Sequence, residues 1–218
     1  MTLQVFGHPF SSYTQKVLIP LWADETPFEY RVVAPDHPEN IEELKRHSPF
    51  GQFPLLIDGD TAVFESTPII EYLQSAHPGP NRWIPDGQLG RRVRFLDRFF
   101  DLHVMGNMQA AVGDALRPEE SRDPYGVARV RERLHTAYDW LEANLGEGPW
   151  AAGGQFMLAD CAAAPSLFYA DWVEEIGPSR PRLAAYRKRL LEHPAVARAV
   201  DEGRPYRPYF PLGAPDRD

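Results

Sequence analysis

The sequence predicts an α/β domain with a mixed sheet, followed by an all-helical domain. Over residues 1–78, segments with strand and helix character alternate in the order β-α-β-α-β-β-α. Residues 79–88 are rich in turn formers and lack periodicity, so we assign them to a linker. Over residues 89–218, apolar side chains recur at helical spacing and no strand pattern appears.

Composition narrows the class of protein. The chain has 218 residues, which suffices for two small domains that each bury a core. Its net charge of -8 argues against a general affinity for nucleic acid or anionic membrane. Cys161 is the only cysteine, so an internal disulfide and a Cys-based structural metal site are excluded, and we expect this thiol to be buried. Without a signal-like leader or a membrane span of ~20 apolar residues, the expected location is cytoplasmic.

The first strand and the first helix meet in a turn that suits an anion. A strand is predicted around residues 3–6 and a helix over residues 14–22, shortened or kinked by Pro20. Ser12 with Gln15 fits a capping box, which leaves Ser11 as the free hydroxyl beside the helix N-terminus. The alternative is that both serines only cap the helix.

The remaining elements follow from periodicity and turn signals. In the first domain they are strands over 28–33, 53–57 and 61–64, with an Asp58-Gly59 turn between the last two, and helices over 39–47 and 68–76. In the second domain they are helices over 89–111, 127–145, 158–172 and 183–191. The third of these helices is apolar nearly all round, which predicts a buried central helix. The tail from His193 is interpreted as a strap over the surface.

Two further segments have features suited to a peptide. Pro54 opens a strand, where a cis bond is plausible and would expose the main chain of Phe53 to an extended peptide. Glu65 and Ser66 precede a helix, so that Ser66 is suited to a carboxylate and Glu65 to an ammonium group. Together they would hold an amino-acid head group. The alternative for Glu65 and Ser66 is simple helix capping.

These motifs resemble cytosolic glutathione transferases over essentially the whole chain. Residues 10–17 match the turn that carries the family's Ser, Cys or Tyr before the first helix. Residues 51–56, Gly-Gln-Phe-Pro-Leu-Leu, match its cis-proline turn, and residues 65–73 match its Glu-Ser-x-x-Ile-x-x-Tyr-Leu signature. Residues 153–165 resemble the segment that nucleates a helix in the family's second domain. The resemblance implies a thioredoxin-like N-terminal domain and a helical C-terminal domain.

The resemblance also implies a site. Ser11 would hydrogen-bond the glutathione sulfur, with Ser12 and Tyr13 as rivals for that role. The glutathione-binding residues would be Ser11, Gln52, Phe53, Pro54, Glu65 and Ser66. The implied assembly is a homodimer, in which Asp97 or Asp101 of one subunit would reach the γ-glutamyl amine bound to the other. The implied cofactor is glutathione as co-substrate, with no metal.

The electrophile site is less constrained by the motifs. By resemblance it lies between the first turn and the first helix of the second domain, so Phe10, His103, Met105 and Asn107 are candidates, with Tyr209 and Phe210 as a lid. Each of these also suits a purely structural role. One departure from the family pattern is Met157, which replaces the Ser or Thr N-cap of the central helix and is expected to cost ~1 kcal/mol unless repacked.

The type of residue at position 11 bears on the reaction. A Cys there would favour thiol exchange, whereas Ser favours attack of the bound thiolate on an electrophile. We therefore expect a glutathione transferase that acts on small apolar electrophiles. The alternatives are a glutathione-dependent isomerase or reductase, and a non-catalytic binding module.

Overall fold

A four-stranded mixed sheet forms the frame of the first domain in the computed structural model, which describes residues 2–218. The strands are β1 (Leu3–Gly7), β2 (Phe28–Val32), β3 (Leu55–Asp58) and β4 (Thr61–Phe64), in the order β2-β1-β3-β4. β1 pairs parallel to β2 and antiparallel to β3, and β3 pairs antiparallel to β4. This confirms the predicted mixed sheet.

Three helices belong to this α/β domain and the rest to the helical domain. The first three are α1 (Ser12–Ala23), α2 (Pro38–His47) and α3 (Ser66–Ala76). The others are α4 (Gly87–Phe99), α5 (Gly106–Ala115), α6 (Pro124–Asn144), α7 (Leu158–Val173), α8 (Pro181–Glu192) and α9 (Pro194–Gly203). No helix within residues 2–218 is long and apolar enough to cross a membrane. The thioredoxin-like domain and the all-helical domain are thus both present.

The central helix joins the two domains. All 16 residues of α7 are buried, as its all-round apolar sequence predicts. It packs against α1 of the first domain as well as α4 of the second. A single apolar core therefore runs from β1 and α1 through α7 into the helical domain.

The start of α7 compensates for the missing capping hydroxyl. Met157 forms no side-chain cap, but the Asp160 carboxylate accepts hydrogen bonds from the main-chain N–H of Met157 at 2.9 Å and of Ala151 at 2.8 Å. The Tyr186 hydroxyl donates to the same carboxylate at 2.7 Å. Asp160 is fully buried, and burial raises its pKa to about 6. The expected loss of a cap is therefore offset by one carboxylate with three donors.

Two elements differ from the sequence prediction. The predicted helix over 89–111 is interrupted by a π-helical turn, Phe100–Met105, between α4 and α5. The tail from His193 was expected to be a strap, but it begins with α9, whose residues Ala195, Val196 and Ala199 are buried. α9 packs against α1, so the end of the chain supports the helix that follows the first turn.

Candidate active site

A cavity of about 510 Å³ opens between the two domains. All six residues that the sequence predicts to bind glutathione line it, namely Ser11, Gln52, Phe53, Pro54, Glu65 and Ser66. The helical domain contributes four further side chains, namely Arg98, Asp101, Leu102 and Gln109. The structure thus brings the three predicted motifs of the first domain to one place.

The cap of α1 differs from the prediction. Ser11, not Ser12, is the N-cap of α1, and its Oγ accepts a hydrogen bond from the Thr14 N–H at 3.2 Å. Ser12 is buried in the first turn of the helix, where its Oγ lies 3.2 Å from Gln109 Nε2. The capping box predicted for Ser12 and Gln15 is therefore wrong, because the helix begins one residue earlier than that motif requires.

Capping leaves the Ser11 hydroxyl able to serve a ligand. A hydroxyl has one O–H donor and two acceptor lone pairs, and the cap uses only a lone pair. The proton of Ser11 can therefore point into the cavity while Thr14 N–H holds the oxygen. Because hydrogen bonds in a chain polarise one another, the Thr14 contact makes Ser11 a stronger donor.

The turn is held in place from both sides. A Cβ atom at Gly7 would lie 2.4 Å from Thr14 Cγ2, so only glycine allows β1 to approach α1 this closely. The buried Gln15 side chain donates to Pro9 C=O at 2.8 Å and lies 3.0 Å from the Tyr169 hydroxyl on α7. These contacts keep the Ser11 hydroxyl in a defined position relative to the cavity.

The second wall of the cavity is the turn before β3. The Phe53–Pro54 bond is cis, as the sequence suggested. Gln52 N–H donates to Ser48 Oγ at 3.2 Å. Within residues 2–218, no hydrogen bond engages the main-chain N–H or C=O of Phe53. These groups are available to pair with an extended peptide.

The third wall is the start of α3. Glu65 is its N-cap residue and has φ 72 and ψ 127, in the left-handed half of the backbone map. Such a conformation in a non-glycine residue costs of order 1–3 kcal/mol and is concentrated at binding sites. The Glu65 side chain forms no cap, and Ser66 is the first, buried residue of the helix. The exposed Glu65 carboxylate thus lies beside the N-terminus of α3. A ligand that carries both an ammonium group and a carboxylate would match these two features.

Tyr13 lines the same cavity but has a different electrostatic environment. Burial raises the pKa of Tyr13 to about 12, and the carboxylates of Asp101 and Glu65 contribute to this rise. The same negative charges would repel a thiolate held at the Tyr13 hydroxyl. The environment of Tyr13 therefore suits an anionic sulfur less well than the helix N-terminus at Ser11 does.

A buried ion cluster lies behind the cavity. The fully buried Lys16 ammonium is 2.7 Å from Asp97 Oδ1 and 2.7 Å from Asp101 Oδ2, and it donates to Thr67 Oγ1 at 2.9 Å. The Thr67 hydroxyl in turn donates to Asp97 Oδ2 at 2.8 Å. Burial raises the pKa of Asp101, while the Lys16 ammonium opposes this shift and the Asp97 carboxylate adds to it. Both aspartates thus contact Lys16 of their own chain, and the expected reach into a neighbouring subunit stays a prediction.

The predicted electrophile-binding residues do not line the cavity. Phe10 packs edge to face on Tyr169, with ring centroids 5.3 Å apart. Met105 is in the core, and Asn107 donates to His103 C=O at 2.7 Å. The His103 ring lies 5.0 Å from that of Phe99. Asp101 and Leu102, which belong to the π-helical turn, lie at the cavity instead.

The expected lid also lies elsewhere. Phe210 is buried against Trp172 with ring centroids 5.2 Å apart, whereas Tyr209 is exposed. Neither side chain borders the cavity. The sequence contained no signal for Arg98, Leu102 and Gln109 at the cavity, which lie on α4, in the π-helical turn and on α5 respectively.

Comparisons with known proteins agree with this architecture. Residues 5–81 match a family model described as the N-terminal domain of glutathione S-transferase, and residues 124–189 match the one described as its C-terminal domain. The two matches together cover more than half of the chain.

Individual relatives extend the match to nearly the full length. The chain is 26% identical over 209 residues to glutathione S-transferase F6 of Arabidopsis thaliana, covering 91% of this chain and 99% of the relative. It is 28% identical over 219 residues to a probable maleylacetoacetate isomerase of Vibrio cholerae, covering 94% and 98%. A crystal structure of a Methylobacterium radiotolerans glutathione S-transferase in complex with glutathione sulfonate superposes with a TM-score of 0.78, at 26% identity and with coverage of 92% and 95%. The chain therefore belongs to the glutathione S-transferase family.

Proposed function

We propose that this glutathione transferase binds glutathione in the cavity between its domains, with the sulfur at the Ser11 hydroxyl, and transfers the thiolate to a small apolar electrophile. The observation that carries the proposal is the position of Ser11. It caps α1 and lines the cavity, and within residues 2–218 no contact uses its hydroxyl proton. The sulfur would thus meet both the hydroxyl and the positive end of the helix dipole.

The energetics of thiol activation agree with this geometry. A free thiol has a pKa of about 8.5, and lowering it by roughly two units requires about 2.7 kcal/mol. One hydrogen bond to a charged group contributes about 1.5–3 kcal/mol, and a helix N-terminus adds about 0.3–1 kcal/mol. Ser11 and the start of α1 together suffice to make the bound thiol mostly ionised at neutral pH.

The other walls suit the rest of the peptide. The free main chain of Phe53 would pair with the cysteinyl unit, with Gln52 and Pro54 beside it. Glu65 and the N-terminus of α3 at Ser66 would hold the γ-glutamyl ammonium group and carboxylate. Together the three features would hold the γ-glutamyl unit and both the main chain and the sulfur of the cysteinyl unit.

The nature of the electrophile is inferred from the remaining side chains of the cavity. Phe50, Phe64 and Leu102 present exposed apolar surface there, and Gln109 and Arg98 are the polar groups nearby. Apolar walls favour a small apolar co-substrate. One of the relatives is named an isomerase, but the presence of Ser rather than Cys at position 11 and the prevalence of transferases among the relatives favour transfer.

A homodimer is part of the proposal. Phe50 is 73% exposed at the edge of the turn before β3, and a second copy of the chain would cover this side chain in the proposed dimer. The exposed Phe95 on α4 adds to the apolar surface available to a second copy of the chain.

Turnover of an aryl halide with glutathione tests the central assignment. Replacement of Ser11 by Ala removes the proposed donor, so kcat/KM should fall by about 10- to 150-fold, as expected for a lost hydrogen bond to a charged group. Ser12→Ala is the matched control, because its hydroxyl is buried against Gln109 and should be nearly silent. Full activity of Ser11→Ala would contradict the proposal. Failure of glutathione to raise the melting temperature of the wild type would contradict binding itself.

A further inference from the structure

His8 begins the turn that carries Ser11, and it accepts two hydrogen bonds within that turn. The Nδ1 atom of the His8 ring accepts from the Phe10 N–H at 3.2 Å. The His8 C=O accepts from the Ser11 N–H at 2.9 Å, which closes a β-turn over residues 8–11. One residue thus holds the main-chain N–H groups of both Phe10 and Ser11.

The side-chain contact of His8 has the spacing of an Asx-turn. In that motif the side-chain oxygen of an asparagine or aspartate accepts from the main-chain N–H two residues further along the chain. Asn, Asp and Ser are favoured at the first position of a β-turn, and Pro is favoured at the second. Pro9 occupies the second position here, whereas the first is His8. The imidazole Nδ1 therefore takes the place that an asparagine oxygen has in other turns.

The direction of this hydrogen bond fixes the tautomer of His8. A main-chain N–H can only donate, so Nδ1 carries no proton and the ring is neutral with its proton on Nε2. Burial lowers the pKa of His8, which favours the neutral ring. The Nδ1 acceptor is therefore present at neutral pH.

The helical domain holds the same turn through aromatic contacts. Tyr206, in the 3₁₀-helical segment Arg204–Tyr209, packs edge to face on the His8 ring with centroids 4.5 Å apart. The Phe10 ring packs in the same way on Tyr169 of α7, at 5.3 Å. The two side chains that flank Pro9 are thus anchored on the second domain, which limits rotation of the His8 ring away from the Phe10 N–H.

We propose that His8 is a positioning residue for the reaction, and that its Nδ1 acceptor holds the turn in the conformation that directs the Ser11 hydroxyl at the glutathione sulfur. This inference rests on the proposed function, because it assumes that Ser11 meets the sulfur. His8 itself does not line the cavity, so it has no contact with glutathione in this proposal. Its effect on the rate passes through Ser11, since a small misplacement of a reacting or stabilising group slows catalysis strongly.

Two substitutions separate the acceptor from the ring. In His8→Asn the side-chain oxygen is as many bonds from Cβ as Nδ1 is, whereas in His8→Gln it is one bond further away. Both variants lose the ring contact with Tyr206, so they differ in whether the acceptor reaches the Phe10 N–H. For glutathione and an aryl halide, kcat/KM should stay within about threefold of wild type in His8→Asn and fall by about fivefold or more in His8→Gln. Equal activity of the two variants would overturn the proposal.

The thiol pKa of bound glutathione provides a readout that a loss of folded protein does not move. His8→Gln should raise this pKa by roughly half a unit or more, because the Ser11 hydroxyl is no longer directed at the sulfur, whereas His8→Asn should change it by less than roughly 0.3 units. The same thiol pKa in His8→Gln and wild type would overturn the proposal.

A double-mutant cycle tests whether His8 acts through Ser11. His8→Gln should lower kcat/KM by about fivefold or more when Ser11 is present, and by less than about twofold in the Ser11→Ala background. The same fold-loss in both backgrounds would overturn the role of His8 and leave the proposed function standing. Full activity of Ser11→Ala alone would instead refute the proposed function on which this inference rests.

Discussion

The buried carboxylate of Asp160 accepts the hydrogen bonds that stabilise the start of the central helix. Replacement of Asp160 by Asn tests how much this carboxylate contributes to the free energy of unfolding. The carboxylate accepts from the main-chain N–H groups of Met157 and Ala151 and from the Tyr186 hydroxyl. An asparagine has the same shape but only one acceptor oxygen, so its NH₂ group would face at least one of these donors.

The structure sets the size of the effect. A buried donor left without its charged acceptor costs about 1.5–3 kcal/mol, so we expect Asp160→Asn to lower the free energy of unfolding by about 2–3 kcal/mol at pH 7. For a chain of this size, that corresponds to a fall of roughly 5–10 °C in melting temperature. Tyr186→Phe removes one donor and no acceptor, so it should cost only about 1 kcal/mol.

The pH dependence of the free energy of unfolding provides a second test. Burial raises the pKa of Asp160 from 3.8 to about 6, so between these values the folded protein holds a proton that the unfolded chain releases. The stability contributed by this carboxyl is therefore fully present below pH 3.8 and falls as pH rises to 6, by about 3 kcal/mol in total. Asparagine does not titrate, so the deficit of Asp160→Asn should be largest near pH 4 and should shrink towards pH 6.

Urea unfolding of wild type and both variants at matched protein concentration, from pH 4 to pH 7, measures these quantities. A variant as stable as wild type at pH 7 would refute the role of Asp160 as the acceptor at the start of α7. A deficit that is constant or grows as pH rises would refute the raised pKa.

Two further predictions follow from buried charge and exposed apolar surface. Lys16→Met leaves two buried carboxylates without their cation and should lower the free energy of unfolding by about 3–5 kcal/mol. The control is Lys188→Met, at a side chain that is 80% exposed, which should change this free energy by less than about 1 kcal/mol in the same urea titration. Phe50→Ser should shift the gel-filtration elution of the proposed dimer towards that of the monomer. Leu116→Ser, at a similarly exposed apolar residue, should leave the elution unchanged. A monomeric wild type would contradict the dimer.

Much of the architecture could be predicted because local chemistry determines it. The turn signal at Asp58-Gly59 and the apolar alternation around it predict β3 and β4, and the structure confirms both strands. Asp58 pairs with Thr61, however, so the two-residue turn is Gly59-Asp60 rather than Asp58-Gly59. The all-round apolar sequence of α7 likewise predicts a central helix. The three motifs at Ser11, Phe53 and Glu65 converge because each ends or begins an element at the same side of the sheet.

Other features depend on contacts that a sequence pattern does not contain. Ser11 and Ser12 are both good N-caps, and only the packing of α1 decides which residue starts the helix. Apolar spacing along α4 and α5 does not reveal the π-helical turn, so His103 and Met105 were expected at the cavity where Asp101 and Leu102 lie. The ion cluster of Lys16 joins residues that are 81 and 85 positions apart, which periodicity cannot detect.

The region after His193 shows a different limit. Its many prolines favoured an irregular strap, but Pro194 occupies the first turn of α9, where proline is compatible with a helix. The buried small residues of α9 then pack on α1, so the end of the chain helps to support the turn that carries Ser11.

Titration of the bound thiol tests the role of Ser11 most directly. The thiolate of glutathione absorbs in the ultraviolet, so its absorbance in the complex can be followed from pH 5 to pH 10 in wild type and Ser11→Ala, each saturated with glutathione. We predict a thiol pKa in the wild-type complex that is roughly two units below the free value of about 8.5, and a rise of about 1–2 units on removal of the hydroxyl. A thiol pKa that is the same in both proteins would contradict the assignment of Ser11 as the group that stabilises the thiolate.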